Sequence, residues 1–85
     1  MIKSDELSLE ELDYYLEHGT LVDVMESGSD NYFSAVIREF AETDVAEGRH
    51  AKVYKCEVTD VMDCPYEIGD VVRVDNRDVV RVHRD

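Results

Sequence analysis

The chain has 85 residues and a formal net charge of −12, which leaves room for one small core and sets the surface against phosphate backbones and anionic membranes. A hydrophobic content of 44%, with one Pro and four Gly, is that of a globular chain and excludes disorder as the general state. No apolar run approaches the roughly 20 residues of a membrane span, and Met1-Ile2-Lys3-Ser4-Asp5 turns acidic at once, so neither a signal peptide nor membrane association is expected and a cytoplasmic location is.

Residues 1–85 are read as a single compact domain. Ser8-Leu9-Glu10-Glu11 has the form of a capping box, with Leu7 and Leu12 placed for a hydrophobic staple. Leu9, Leu12 and Leu16 then recur on one stripe, His18 falls in the last turn and Gly19 supplies the stop, so a helix over 8–18 is expected. Val22 and Val24 alternate with Asp23 in a first strand, about 20–27, and Ser27-Gly28-Ser29-Asp30-Asn31 is a turn cluster. The next segment, about 32–42, reads as a strand through Phe33, Ala35 and Ile37. It also fits a helical stripe through Phe33, Val36, Ile37 and Phe40, with Asp30 as N-cap, so a two-helix α+β domain with 31–42 helical is the alternative. Residues 43–49 are acidic, contain Gly48 and read as a loop. A strand over 50–59 carries Tyr54, Cys56 and Val58 inward, and 60–69 is a longer connection fixed by Pro65 and Gly69.

Asp-Val-Val-Arg-Val then occurs twice, at 70–74 and 78–82. The repeat reads as strands 70–75 and 79–83 in a hairpin, with Asn76 to Asp78 as the turn. Val74 would face Val80, Val72 would face Val82, and Arg73 would lie across from Arg81. The expected fold is therefore mainly β: a short N-terminal helix, then five antiparallel strands too short to bury two faces by stacking, hence a strongly bent sheet or small barrel.

In this order the pattern resembles the Sm-like and SH3-like small barrels. Ala35, Ile37 and Phe40 stand at the spacing of the Sm-like Gly-x-Leu-x-x-Phe-Asp, and Arg73-Val74-Asp75-Asn76 at that of Arg-Gly-Asp-Asn. Ala35 and Val74 replace both family glycines, Ala41 replaces the Asp, and the base-contacting Met-Asn pair would fall on Asp44 and Val45. The resemblance thus implies a shape and carries over no RNA site.

Charge is unevenly spread. Residues 1–48 hold 13 acids against Lys3 and Arg38, a balance of −11, and residues 49–85 hold eight acids against seven bases, a balance of −1. Solubility or a saline habitat explains such a block, and so does a face shaped for a basic partner. Cys56 and Cys64, with His18, His50 and His83, match no metal-ligand spacing. The cysteines read as thiols and no metal or cofactor is expected. With no nucleophile elbow or phosphate loop, and little room for a pocket that would separate two carboxylate pKa values, enzymatic activity is not expected.

Two function classes follow. The first is an interaction protein whose carboxylates, spaced like phosphates, occupy the basic groove of a nucleic-acid-binding protein, as phage-encoded inhibitors of restriction or CRISPR machinery do. Its partner-binding residues would be Asp23, Glu26, Asp30, Glu39, Glu42, Asp44 and Glu47, with Asp13 and Glu17 on the helix; direct nucleic-acid binding is not expected. The second is an oligomeric small barrel holding a small anion or nucleotide with Arg73, Arg77 and Arg81. A third reading is a subunit of a larger assembly whose acidity is only habitat.

Overall fold

The computed structural model describes residues 2–3, 16, 18–46 and 49–83. Its strands are β1 (Ile2–Lys3), β2 (Leu21–Met25), β3 (Tyr32–Ala46), β4 (Arg49–Asp63), β5 (Val71–Asp75) and β6 (Val79–His83), with a 3-10 turn at Asn76–Asp78. All pairings are antiparallel, in one sheet of order β1-β6-β2-β3-β4-β5. The protein is mainly β, as the alternating valines and aromatics required. The expected helix 8–18 lies outside the described residues apart from Leu16 and His18; Leu16 is buried in the core.

The helical alternative for 31–42 is overturned, since Tyr32–Ala46 is one continuous strand. The loop expected at 43–49 is overturned with it, because β3 runs on to Ala46 and β4 begins at Arg49, pairing Ala46 with Arg49. At about 3.3 Å per residue a straight 15-residue strand would exceed the molecule's longest dimension of 32 Å. Both long strands must therefore bend. They do so where the register slips, between Ile37 and Glu39, between Phe40 and Glu42, and twice near the start of β3. Each slip sets two residues against one, which kinks a strand and deepens its twist.

The valine repeat is two strands but not a hairpin. β5 pairs with β4, setting Arg73 beside Lys55 and Val74 beside Tyr54, whereas β6 pairs with β2 and β1, setting Arg81 beside Asp23 and Lys3. The turn that joins them is capped by Asp75, whose side chain accepts from the Arg77 amide, and it buries Asn76. Such a turn carries the chain forward instead of reversing it. In a flat sheet of this order β5 and β6 would stand four spacings apart, about 19 Å, yet three residues link them. The sheet is curled so far that β5 returns toward β6. It is not closed into a barrel: among the described residues β5 pairs with β4 alone and β1 with β6 alone.

The concave face holds the core, with Val22, Val24, Phe33, Ala35, Ile37, Tyr54, Cys56, Val58, Val74, Val79 and Val82 all buried. Val79 takes the place expected of Val80 because of a register slip: Val82 faces Val22 and Arg81 faces Asp23, but Val24 is met by Val79. Val80 is the extra residue and is only half-buried. Tyr66 covers one end of the core, its ring edge-on to Phe33 with centroids 5.2 Å apart.

Candidate protein-interaction surface

At one end of the curled sheet lies the β2–β3 turn. There the Glu26 amide donates to the Asn31 carbonyl and the Asp30 amide to the Glu26 carbonyl, both at 2.9 Å. The turn needs left-handed backbone at Gly28, with φ of 89°, and at Asp30, with φ of 58°. The 64–70 connection is fastened to it: Glu26 Oε1 accepts from the Tyr66 hydroxyl at 2.8 Å and from Asn31 Nδ2 at 3.0 Å. The Glu26 carboxylate, followed by burial and by its charge, raises the Tyr66 pKa above 10.0.

This fastening gathers exposed acids from separate parts of the chain. Asp30 sits on the turn, Asp60 and Asp63 on the end of β4 beside Ser34 and Tyr32, and Glu67 and Asp70 on the connection; all five are exposed. Asp60 accepts from the Val61 amide and Asp70 from the Glu67 amide, so those two are also fixed in place. None of the five forms an ion pair among the described residues, and no Lys or Arg occurs between Cys56 and Val72 or between Lys3 and Arg38. Large apolar side chains are exposed among them: Ile68 is 70% exposed and Val71 63%, with Met25 and Met62 each exposed by about two-fifths.

The sequence-derived acidic set is distributed differently from expectation. Asp13, Glu17 and Glu47 lie outside the described residues, and Asp44 is placed in β3 by its backbone alone. Glu39 and Glu42 are exposed but paired, with Lys55 at 3.3 Å and Arg73 at 2.8 Å, next to a third cross-strand pair of Arg38 with Glu57 at 3.1 Å. Glu26 is half-buried and serves the turn. Asp23 is buried, and its Oδ1 accepts from Ser34 Oγ at 2.6 Å and meets His83 Nε2 at 2.9 Å. Only Asp30 of the described candidates belongs to the unpaired acidic end. Asp60, Asp63, Glu67 and Asp70 were missed because the later half of the chain is near neutral in sum. The signal was the cation-free run from Cys56 to Val72.

Ser34, Asp23 and His83 bring together the residue types of a hydrolytic triad in the wrong order. A nucleophilic serine needs the imidazole between hydroxyl and carboxylate, to take the hydroxyl proton. Here the carboxylate lies between the other two and Ser34 is buried, so the cluster acts as a polar tie joining β2, β3 and β6. Of the three candidate arginines, Arg73 is held by Glu42 at 2.8 Å, Arg77 places two nitrogens on Asp75 at 3.1 and 2.7 Å, and Arg81 stands opposite Asp23 in the β2–β6 register. A half-open depression of about 380 Å³ beside Arg77 is lined by Ser27, Asp75, Arg77 and Asp78, with Ser27 Oγ donating to Asp78 at 2.7 Å. No group of three His, Cys, Asp or Glu stands ready for a metal ion among the described residues. Cys56 and Cys64 are both free thiols, and burial pushes the Cys56 pKa from 9.0 up to about 12. No helix among the described residues is long and apolar enough to cross a membrane.

These features define a small, mainly β protein with an acidic, partly apolar surface at one end. No family model, curated protein or solved structure matches the chain.

Proposed function

We propose that this chain is a protein-binding module, an inhibitor or decoy that offers a carboxylate-rich surface to a basic nucleic-acid-binding protein in place of nucleic acid. The observation that carries this reading is the grouping, at one end of the sheet, of five exposed carboxylates that form no ion pair among the described residues with exposed Ile68, Val71, Met25 and Met62. A surface that is acidic only for solvation has no use for large apolar side chains in water, whereas a surface that a partner covers does. Carboxylates steer the approach to a Lys- and Arg-lined groove and displace its counter-ions, and the apolar side chains supply burial. Nucleic-acid-cutting defence enzymes, such as restriction and CRISPR effectors, present grooves of this kind.

The test is capture from lysate of the native host at low and high salt, with added duplex DNA or RNA as competitor. The expected result is a basic nucleic-acid-binding protein that salt releases and nucleic acid displaces. Reversing Asp63 and Glu67 to Lys abolishes its capture, and reversing the already paired Glu39 and Glu42 weakens it far less. Capture indifferent to both reversals, or to competing nucleic acid, sinks the reading.

A further inference from the structure

We propose that β5 is a docking edge, on which a partner protein lays an extended segment of alternating basic and apolar residues as an added strand. This rests on the acidic protein-binding reading and deepens it by naming the form of the partner's contact.

β5 is last in the sheet order and has β4 as its one neighbour among the described residues. The Val58 amide donates to the Asp70 carbonyl at 2.8 Å, so the Asp70 carbonyl faces β4. Antiparallel alternation then turns the backbone groups of Val72 and Val74 toward β4 and those of Val71 and Arg73 toward the side that bears no strand among the described residues. The β4–β5 register runs from Val53–Asp75 to Glu57–Val71 without a slip, so this edge is regular where the long strands are bulged. Edges are ordinarily guarded by Pro, Lys, bulges or a covering segment. Val71-Val72-Arg73-Val74-Asp75 has no Pro or Lys, and its one cation is held by Glu42 at 2.8 Å.

Charge chooses the occupant. Exposed Val71 and Ile68 offer apolar contact, and Glu67 and Asp70 stand at the N-terminal end of the strand. A segment added here meets carboxylates at one end and valine beside it, which suits Lys or Arg alternating with aliphatic residues. A second copy of the chain would bring another −12 of charge to the same edge, whereas a basic segment is attracted to it.

The probe is a fluorescein-labelled peptide of alternating Lys and Val, followed by anisotropy against the whole protein. It is expected to bind at low salt. N-methylating alternate peptide amides, which keeps the charge and removes the donors, is expected to weaken binding about 10-fold or more. Val71→Pro deletes an amide that faces away from β4, at the first position of the strand where Pro is tolerated. It is expected to weaken binding similarly with the unfolding midpoint little changed. The N-methylated peptide makes the same test on the unaltered protein, so a misfolded variant does not leave the question open. Equal binding of methylated and unmethylated peptides overturns edge docking while the acidic-surface reading stands, because charge alone then suffices. Failure of the Lys–Val peptide to bind, or equal binding of its Glu–Val counterpart, also overturns it. So does concentration-dependent dimerisation that Val71→Pro abolishes, which would assign the edge to a second copy. The acidic-surface reading fails by a separate readout, unchanged capture after reversal of Asp63 and Glu67.

Discussion

Asp23 lies between Val22 and Val24, yet it too is buried, because its carboxylate serves two partners at once, the Ser34 hydroxyl and the His83 ring. Removing the shared acceptor leaves both without it. Asp23→Ala is therefore expected to cost about 1–3 kcal/mol, read from urea unfolding midpoints, and the exposed Glu39→Ala, which breaks only a surface ion pair, about 1 kcal/mol or less. Cys56 makes a different prediction. Its thiol has a pKa of 9.0 in the open chain and about 12 when folded, through burial. Between those values the folded state retains a proton that the unfolded state has released, so stability is full below pH 9.0 and falls as pH rises toward 12. Tyr66, raised by its bond to Glu26, acts in the same direction. The thermal midpoint is expected to decline progressively through this window, and less steeply in Cys56→Ala. At neutral pH iodoacetamide is expected to reach half-buried Cys64 well before buried Cys56; equal labelling of the two in the native protein would contradict the core assignment.

Five of the six described strands were legible from the sequence in part, but their partners were not. Alternating valines and aromatics marked β2 to β6, and Ser27 to Asn31 marked the turn, because side-chain period and turn chemistry are local properties; the two-residue β1 and the tips of β3 and β4, at 43–49, carry no such alternation. Pairing is non-local. The valine repeat satisfies a hairpin as well as it satisfies two separated strands, and the choice falls to β4 and β2, which offer β5 and β6 a shared core that a lone hairpin lacks. The register slip opposite Asp23 and Val24 likewise depends on the partner strand, which is why Val79 and not Val80 is buried. The two valines therefore test the pairing. Val79→Ala is expected to cost about 2 kcal/mol or more and Val80→Ala under about 1 kcal/mol, measured by chemical denaturation. A larger loss at Val80 would restore the hairpin.

Over the whole molecule, net charge is a poor guide to where charge acts. The acid-rich half contributes Glu39 and Glu42 to ion pairs and Asp23 and Glu26 to internal bonds, and the near-neutral half supplies four of the five unpaired acids at the exposed end. Self-repulsion among −12 charges weakens as the Debye length falls from about 30 Å at 0.01 M salt to about 8 Å at 0.15 M. The unfolding midpoint is expected to rise over that range, followed by circular dichroism. A chain whose acidity is habitat alone would stay unfolded until salt reaches molar levels, and a cooperative transition at 0.01 M salt would remove that reading.

The sequence by itself determined a mainly β chain, five of its strand segments and the surplus of acid, because alternation, β-branching and composition act within a few residues of each other. Only the tertiary structure decided which strands meet and that the curl stops short of a barrel. It also decided which of the described carboxylates enter ion pairs and which do not, because each of these depends on residues brought together from distant parts of the chain.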